Sequence, residues 1–413
     1  MSRNLITGIA LLLSSILIIQ GVIADDTELE YLSSTTPGAS APLTTLAVNL
    51  PKPVRIYAGA KSQTKTYMHQ FVGSPDGTLY TFRYFPGENQ PHGAKGKDSG
   101  GDPCEVWLCK SDLTGHYKAF TSPKSEGGHG SDVIVWVTDD LIYYAGLSYQ
   151  VSTSKVLWQF DGSDPELPLA RSAAVNPNKL YVGIRGHGEP DGHSSTQGAG
   201  SAAKGWYWLD PSSPTKPQLH LVSDMKGLVG FYGGSWANAE ATYIHQNPSD
   251  TKLHVVVYDR KKRQEYAFIL NAEDGSVHSY LGPNGKGHCH NGHVVWVDDE
   301  TLFAGNQHPG LFDLEGKLIE RSAGRGQGNH ISISPDRKWW VGDTHKEHVV
   351  RLYRFGSMDS VVISGDVRYD NHHPSFSRDG KYVFFQGENP SEPHMGVYRV
   401  DVSGITGAEK KRE

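Results

Sequence analysis

Cysteine, methionine and long apolar runs are scarce in this sequence, and each scarcity excludes a class of protein. Only 3 of the 413 residues are cysteine and 5 are methionine, so a dense disulfide framework does not hold the fold together. After the N-terminal stretch, no segment approaches the ~20 consecutive apolar residues of a membrane-spanning helix. Basic residues number 39 against 45 acidic ones, a formal charge of −6, which argues against nucleic acid as the main partner.

The remaining composition is typical of an all-β protein. Glycine accounts for 47 of 413 residues, above the average usage of about 7 %, and tyrosine (20) and tryptophan (9) accompany it. This combination suggests short strands joined by tight turns. With 37 % hydrophobic residues the chain is too apolar to be disordered, and it is long enough to bury a core without disulfides.

The first 24 residues have the features of a secretory signal peptide. Arg3 supplies a positive start, Leu5 to Ile23 are almost unbroken apolar residues, and Val22-Ile23-Ala24 fits a small-x-small cleavage site. The alternative is a membrane anchor. Cleavage predicts a secreted or periplasmic protein with no membrane span, in which the Ser/Thr/Pro-rich residues 25–52 form a tether.

A strand-turn-strand pattern recurs from about residue 66 onward. Each copy has a short apolar strand, a turn built on Asp, Asn, Pro or Gly, and a second apolar strand, without helical periodicity. The seven copies are HQFVGSPDGTLYTFRYF, SDVIVWVTDDLIYYAG, SAAVNPNKLYVGIRG, TYIHQNPSDTKLHVVVYD, HVVWVDDETLFAG, HISISPDRKWWVGD and HPSFSRDGKYVFFQG. The later turn aspartates, Asp250, Asp299, Asp336 and Asp379, are 49, 37 and 43 residues apart, which is the period of a four-stranded propeller blade.

We therefore predict an all-β fold, a seven-bladed β-propeller over residues 53–413. A β-sandwich and a β-helix are the alternatives, but hairpins at this long period favour blades. The strand near Val54 to Tyr57 would close the ring by joining the last blade. The protein is expected to be a monomer.

Three histidines occupy the same place in consecutive copies of the repeat. His293, His330 and His373 each lie six residues before a turn aspartate, so each is expected at the entry of an innermost strand, where the blades meet around a central channel. Cys289, four residues before His293, would reach the same point. Three imidazoles and a thiolate form a plausible zinc set, and four protein ligands favour a structural zinc. The alternative is a water-lined channel.

The other two cysteines follow a different expectation. Cys104 and Cys109 lie close together in CEVWLC and would form a disulfide if they sat on facing parts of a hairpin.

A second internal similarity places a phenol next to an imidazole twice. TYMHQ carries Tyr67 and His69, and TYIHQ carries Tyr243 and His245. Residues two apart on a strand point to the same side, so each pair would present two groups capable of acid–base chemistry together. Packing within the strand core is the alternative.

Further candidates lie on the same face of the predicted disc. His129 follows two glycines in SEGGHGSD at the entry of blade two, and Arg260 lies in the basic DRKKR turn of blade four. Arg321 and Arg325, before blade six, add positive charge for an anionic polysaccharide.

These residue types suit β-elimination on a uronate. The sequence lacks a GxSxG elbow, a phosphate loop and a dinucleotide fingerprint. Arg offsets the carboxylate charge so that the adjacent carbon becomes acidic, while His and Tyr move the protons.

The segments GGHGSD, TYIHQ, GHCHNGH and NHHPSFSRDGKYVFFQGE, with the basic turn at Arg260, resemble the β-propeller polysaccharide lyases over essentially the whole mature chain. The ulvan lyases are most similar, and the oligogalacturonate lyases are more distant. The resemblance implies His129 and Tyr243 as base and acid, Arg260 as the group that neutralises the uronate, and a structural zinc at the His/Cys cluster. His69 and His245 are alternatives for the base.

The resemblance leaves other functions open. Oligogalacturonate lyases carry further metal ligands just before HPSF, where this sequence has Arg368 and Asn371. A lyase acting on pectic oligomers and a non-catalytic exported propeller that binds a partner are the two alternatives to an ulvan lyase.

Overall fold

The described part of the chain covers most of the predicted propeller. The computed structural model describes residues 50–59, 61–65, 71–86, 104–122, 133–160, 169–170, 178–184, 205–283, 293–305, 309–322, 328, 330–344, 346–357, 360–369, 371–392 and 394–407. The chain divides into two units, Met1–Ala41 and Pro42–Glu413, and every described residue belongs to the second. The signal peptide 1–24 and all but the last residues of the tether 25–52 lie outside the described residues and stay predictions.

Seven four-stranded antiparallel sheets confirm the predicted seven-bladed β-propeller. The first strand of the chain, β1 (Val54–Arg55), is the outermost strand of the last blade, blade 7, where it pairs with the last strand of the chain. This pairing confirms that the segment near Val54 closes the ring.

The strands of the first three blades follow in chain order. Blade 1 contains β2 (Gln63–Thr64), β3 (Leu79–Tyr84), β4 (Cys104–Lys110) and β5 (Tyr117–Ser122). Blade 2 contains β6 (Val135–Thr138), β7 (Leu141–Tyr144), β8 (Leu147–Gln150) and β9 (Lys155–Gln159). Blade 3 contains β10 (Leu169–Ala170), β11 (Leu180–Ile184), β12 (Gly205–Leu209) and β13 (His220–Ser223).

The remaining blades are built in the same way. Blade 4 contains β14 (Ala239–Gln246), β15 (Lys252–Asp259), β16 (Gln264–Asn271) and β17 (Val277–Pro283). Blade 5 contains β18 (Val294–Trp296), β19 (Leu302–Ala304), β20 (Gly310–Phe312) and β21 (Leu318–Arg321). Blade 6 contains β22 (Ile331–Ile333), β23 (Trp339–Thr344), β24 (Val349–Arg354) and β25 (Ser360–Val362). Blade 7 contains β26 (Ser375–Phe376), β27 (Tyr382–Gly387), β28 (Gly396–Asp401) and β1.

Helical structure in the described residues is short. Between blades 3 and 4 lie α1 (Lys226–Val229) and two 3₁₀ turns, Gly230–Tyr232 and Trp236–Asn238, and α2 (Ser403–Thr406) follows β28. No helix in the described part of the chain has the length and apolar character needed to cross a bilayer.

The aspartate turns form by side-chain hydrogen bonding to the local backbone. In blades 1, 6 and 7 a serine hydroxyl donates to the aspartate two residues later and accepts from the backbone N–H five residues later. The pairs are Ser74–Asp76, Ser334–Asp336 and Ser377–Asp379. The residue after the aspartate is left-handed, with φ of 74° at Gly77 and 72° at Gly380, a conformation that glycine adopts without strain. The aspartate spacing therefore locates the inner hairpins correctly.

Neighbouring blades pack face to face and bury a core at each interface. Tyr80 of blade 1 meets Phe384 of blade 7 with ring centroids 4.9 Å apart. Two tryptophans at equivalent positions, Trp136 and Trp296, donate their Nε1–H to a carbonyl on the inner segment of the preceding blade, at 3.2 and 2.9 Å. The repeat thus fixes the spacing of the innermost strands.

The predicted disulfide between Cys104 and Cys109 is wrong, because both cysteines are free and buried. An odd separation along β4 places them on opposite faces of the strand. Cys104 packs into the core shared by blades 1 and 2, and Cys109 into the core shared by blades 7 and 1. Burial raises the pKa of the Cys109 thiol to about 12.

Candidate functional site

The histidine row, which is His293, His330 and His373, lies where three innermost strands begin. His293 directly precedes β18, His330 directly precedes β22, and His373 lies two residues before β26. The ring centroids of His293 and His330 are 4.6 Å apart, and those of His330 and His373 are 4.2 Å apart. The equal spacing from the turn aspartates therefore does bring these imidazoles from three blades into contact.

A buried carboxylate, Asp343 on β23, holds two members of the row. Its Oδ2 lies 2.7 Å from Nδ1 of His330, and its Oδ1 accepts the His330 backbone N–H at 2.8 Å. The backbone N–H of His373 also donates to Oδ2, at 3.3 Å. Burial alone would raise the pKa of Asp343, but the charge of His330 and its hydrogen bonds hold it at about 2. Asp343 is therefore a fixed negative charge beneath the row.

His373 adopts a left-handed backbone conformation that surrounding groups stabilise. Its φ is 49°, which costs a non-glycine residue roughly 1–2 kcal/mol. The ammonium of Lys65, a fully buried residue, donates to the His373 carbonyl at 2.6 Å. Gln386 on β27 lies opposite, with Nε2 3.4 Å from His373 Nδ1. Burial first, and then the nearby Arg83, lowers the pKa of Lys65 well below its usual range, while Asp343 opposes this.

Tyr243 extends the row into blade 4. Its ring centroid is 6.3 Å from that of His293 and 5.9 Å from that of His245. His245 is buried, and its cross-strand partner on β15 is the buried His254, with ring centroids 5.7 Å apart. The predicted phenol–imidazole pair of blade 4 therefore exists, but the imidazole of His245 is only 4 % exposed.

Arg260 follows β15 at the predicted basic turn and forms an ion pair with Glu240. Its Nε donates to Glu240 Oε1 at 2.6 Å, and its Nη2 contacts the same oxygen. The guanidinium side chain remains 36 % exposed, whereas Glu240 is 13 % exposed. Arg260 therefore keeps an accessible surface while its orientation is fixed.

Other predicted site residues cannot be placed with these. Tyr67, His69, His129, Cys289 and Arg325 lie outside the described residues.

Arg321 ends the outermost strand of blade 5 and is exposed. Three strand spacings, or about 14 Å, separate that strand from the innermost one. A direct role for Arg321 beside the histidine row is therefore disfavoured.

The residue types in the histidine row are common metal ligands, but their arrangement is not that of a metal site. A histidine that donates Nδ1–H to a carboxylate, as His330 can to Asp343, presents Nε2 as a ligand, which is a common pattern in metal sites. Within the described ranges, however, no group of three or more His, Cys, Asp or Glu side chains has the geometry of a metal site.

Comparisons with solved structures find similar chains in proteins whose names indicate different functions. Oligogalacturonate lyase in complex with manganese matches with 12 % identity and a TM-score of 0.53, over 86 % of this chain and 95 % of that one. Oligogalacturonate lyase from Vibrio parahaemolyticus matches with 13 % identity and a TM-score of 0.51, over 86 % and 98 %. A chain of the mitotic checkpoint complex matches with 12 % identity and a TM-score of 0.50, over 92 % and 99 %. No family model and no curated protein matches.

These likenesses establish the fold and not the activity, because a lyase and a mitotic assembly match about equally well. The site residues that the sequence analysis missed are Lys65, Glu240, His254, Asp343 and Gln386. One of them follows from hairpin register, since Ile331 pairs with Gly342 and Asp343 therefore lies opposite His330. Gln386 departs from the register of Ser375 and Phe384, because its backbone N–H donates to the His372 carbonyl.

Proposed function

We propose that this protein is an exported polysaccharide lyase that cleaves a uronate-containing polysaccharide by β-elimination. The observation that carries the proposal is the content of blade 4, where Glu240, the ion-pair partner of Arg260, shares strand β14 with Tyr243 and the ring of Tyr243 lies beside the first imidazole of the histidine row. It combines an accessible guanidinium with a phenol and imidazoles, which are the groups that elimination next to a carboxylate requires.

Each residue has a defined task in this proposal. Arg260 binds the uronate carboxylate and offsets the charge that opposes carbanion formation at C5. The base removes the C5 proton, the C4–O bond breaks, and its electron pair leaves with the oxygen while a C4=C5 double bond forms. Tyr243 protonates the departing oxygen. The base is His129 by family resemblance, with His69 and His245 as alternatives, and the burial of His245 disfavours it.

We also propose that the histidine row, with Cys289, holds one structural zinc ion. The three imidazoles come from adjacent blades and lie in contact, with ring centroids 4.6 and 4.2 Å apart, and imidazole nitrogen is a common zinc ligand. Support also comes from the Asp343–His330 contact and from the manganese in a structurally similar oligogalacturonate lyase. Binding requires the rings to turn until their nitrogens converge. Zinc analysis of purified, undialysed protein tests this directly.

The proposed substrate is ulvan, a sulfated polysaccharide of rhamnose and uronic acid. Resemblance to ulvan lyases supports this choice. Pectic oligogalacturonide is the second candidate, which the names of two structurally similar proteins favour. In both cases the partner is an anionic polysaccharide, and the protein acts as a secreted or periplasmic monomer.

The decisive experiment incubates the protein separately with ulvan and with polygalacturonate and follows near-ultraviolet absorbance. Elimination creates a conjugated double bond, so absorbance rises with the true substrate, whereas hydrolysis leaves it flat. A rise with polygalacturonate alone selects the second candidate. No rise with either polymer, for protein whose folding has been verified, refutes the lyase and leaves a propeller that only binds a partner.

A further inference from the structure

The ion pair between Glu240 and Arg260 involves only one side of the guanidinium. Nε and Nη2 both contact Oε1 of Glu240, and in the described part of the chain the guanidinium makes no other hydrogen bond. A guanidinium is a planar fork that binds carboxylates in a bidentate manner. Its side edge, Nε with Nη2, is occupied, and its end edge, Nη1 with Nη2, faces away from Glu240.

A β-bulge places Glu240 on the same face of blade 4 as Tyr243. Glu240 pairs with Tyr258 and Tyr243 pairs with Val256, with a register shift between Ala241 and Tyr243. In a regular strand, residues three apart face opposite sides. The bulge adds one residue to β14, so Glu240 and Tyr243 share the face that carries Tyr258 and Val256. Bulges re-aim side chains next to active sites.

This shared face points towards the histidine row. Tyr243 and Val256 pack in the core between blades 4 and 5, together with Val294 and Leu302. The ring of Tyr243 also lies beside His293, the first member of the row. The Glu240 carboxylate therefore holds Arg260 on the side of the blade that carries the acid–base groups.

We propose that Glu240 is a positioning residue that aims Arg260 and thereby selects a planar carboxylate as the ligand. Glu240 fixes the side edge of the guanidinium, and the end edge is left for the two oxygens of a uronate. Its negative charge weakens the general attraction for anions, so its contribution is orientation and not charge. This inference rests on the proposed function, because it names the group that Arg260 receives.

The test compares Glu240→Ala and Glu240→Gln with Glu347→Ala as a matched control. Glu347 holds Nε of Arg351 at 2.7 Å, the same kind of side-edge contact, but next to β24 of blade 6. We expect Glu240→Ala to lower kcat on the polysaccharide at least ~10-fold, because misplacing a group by about 1 Å can reduce a rate ~100-fold. The KM should stay within threefold or fall, since a nearby negative charge is removed.

Glu240→Gln retains an oxygen that can accept from Nε, so its kcat should lie between those of the wild type and Glu240→Ala. The control Glu347→Ala should keep the wild-type kcat and KM. The inference is overturned if kcat of Glu240→Ala stays within twofold of the wild type. It is also overturned if Glu240→Ala and Glu240→Gln show equal decreases in kcat and equal decreases in melting temperature, because a structural role would then explain both.

A measurement without substrate separates this inference from the proposed function. The Nε–H proton of Arg260, observed by nitrogen-edited NMR, should exchange slowly with water in the wild type and rapidly in Glu240→Ala. Adding glucuronate should shift this resonance in the wild type, whereas sodium sulfate at equal ionic strength should shift it less. Rapid exchange in the wild type refutes the orientation. A glucuronate shift without catalytic elimination retains the positioning role and refutes only the lyase.

Discussion

Removing the Asp343 carboxylate is the most direct test of how the histidine row is held. In Asp343→Ala, His330 loses partners at 2.7 and 2.8 Å, and His373 loses one at 3.3 Å. A hydrogen bond to a charged group contributes about 1.5–3 kcal/mol, and the long third contact adds little. The two short contacts therefore predict a loss of about 3–6 kcal/mol in the free energy of unfolding, which overlaps the scale of breaking a buried charge pair.

Urea denaturation at pH 7, followed by tryptophan fluorescence, measures this loss if the m-value is unchanged. The matched control is Asp112→Ala, which removes an exposed carboxylate that accepts the N–H and the hydroxyl of Thr114 at 2.9 and 2.6 Å. Because water replaces those bonds, the control should lose only a small part of the stability that Asp343→Ala loses. A loss for Asp343→Ala as small as that of the control would refute the argument that burial makes the Asp343 contacts valuable.

Three further outcomes are expected. Arg260→Ala should lower kcat at least ~100-fold, the scale of one preorganised electrostatic contact, with Arg260→Lys in between; a change in KM alone would make Arg260 a simple binding contact. Lys65→Met should free the His373 carbonyl and shift the His373 ring resonances while those of His254 stay unchanged; unchanged His373 resonances would contradict this. Cys104 and Cys109 should resist thiol reagents until unfolding. Because the folded-state pKa of Cys109 is raised, its stabilising contribution is complete below pH ~9 and is lost towards pH 12, a decline that Cys109→Val should reduce.

The fold was predictable because the turn chemistry repeats. A serine, an aspartate and a left-handed residue recur between two apolar strands in blades 1, 6 and 7. In the sequences of the other blades Asp or Asn occupies the turn, and each turn specifies a local hairpin. Counting such hairpins gives the number of blades, and an unpaired strand at the N-terminus completes the last sheet. The positions of His293, His330 and His373 follow from the same count, since equal distance from a turn means equal height on the innermost strand.

The site was less predictable because its supporting groups come from elsewhere in the chain. Lys65 is 308 residues from His373, and only ring closure brings blade 1 against blade 7. Glu240 lies on the same face of β14 as Tyr243 because of a bulge, and no turn residue in the sequence indicates that bulge. The prediction of a Cys104–Cys109 disulfide was wrong for a simpler reason, because the number of residues between two cysteines on a strand decides whether they share a face. That number was available from the sequence, whereas the contact between Lys65 and His373 and the bulge in β14 were not.

The residue opposite each histidine decides what that histidine can do. His330 faces Asp343 and His373 faces Gln386, while register places Gly305 opposite His293. A Cβ at Gly305 would come within 2.0 Å of Ile331, so that position admits no side chain. A carboxylate favours the imidazolium or fixes the neutral ring as its Nδ1–H tautomer, and a carboxamide does both less strongly. Glycine offers no side chain, so the next blade supplies the groups that act on the ring. Three residues that the repeat makes equivalent in position are therefore distinct in chemistry, with His330 the most firmly oriented.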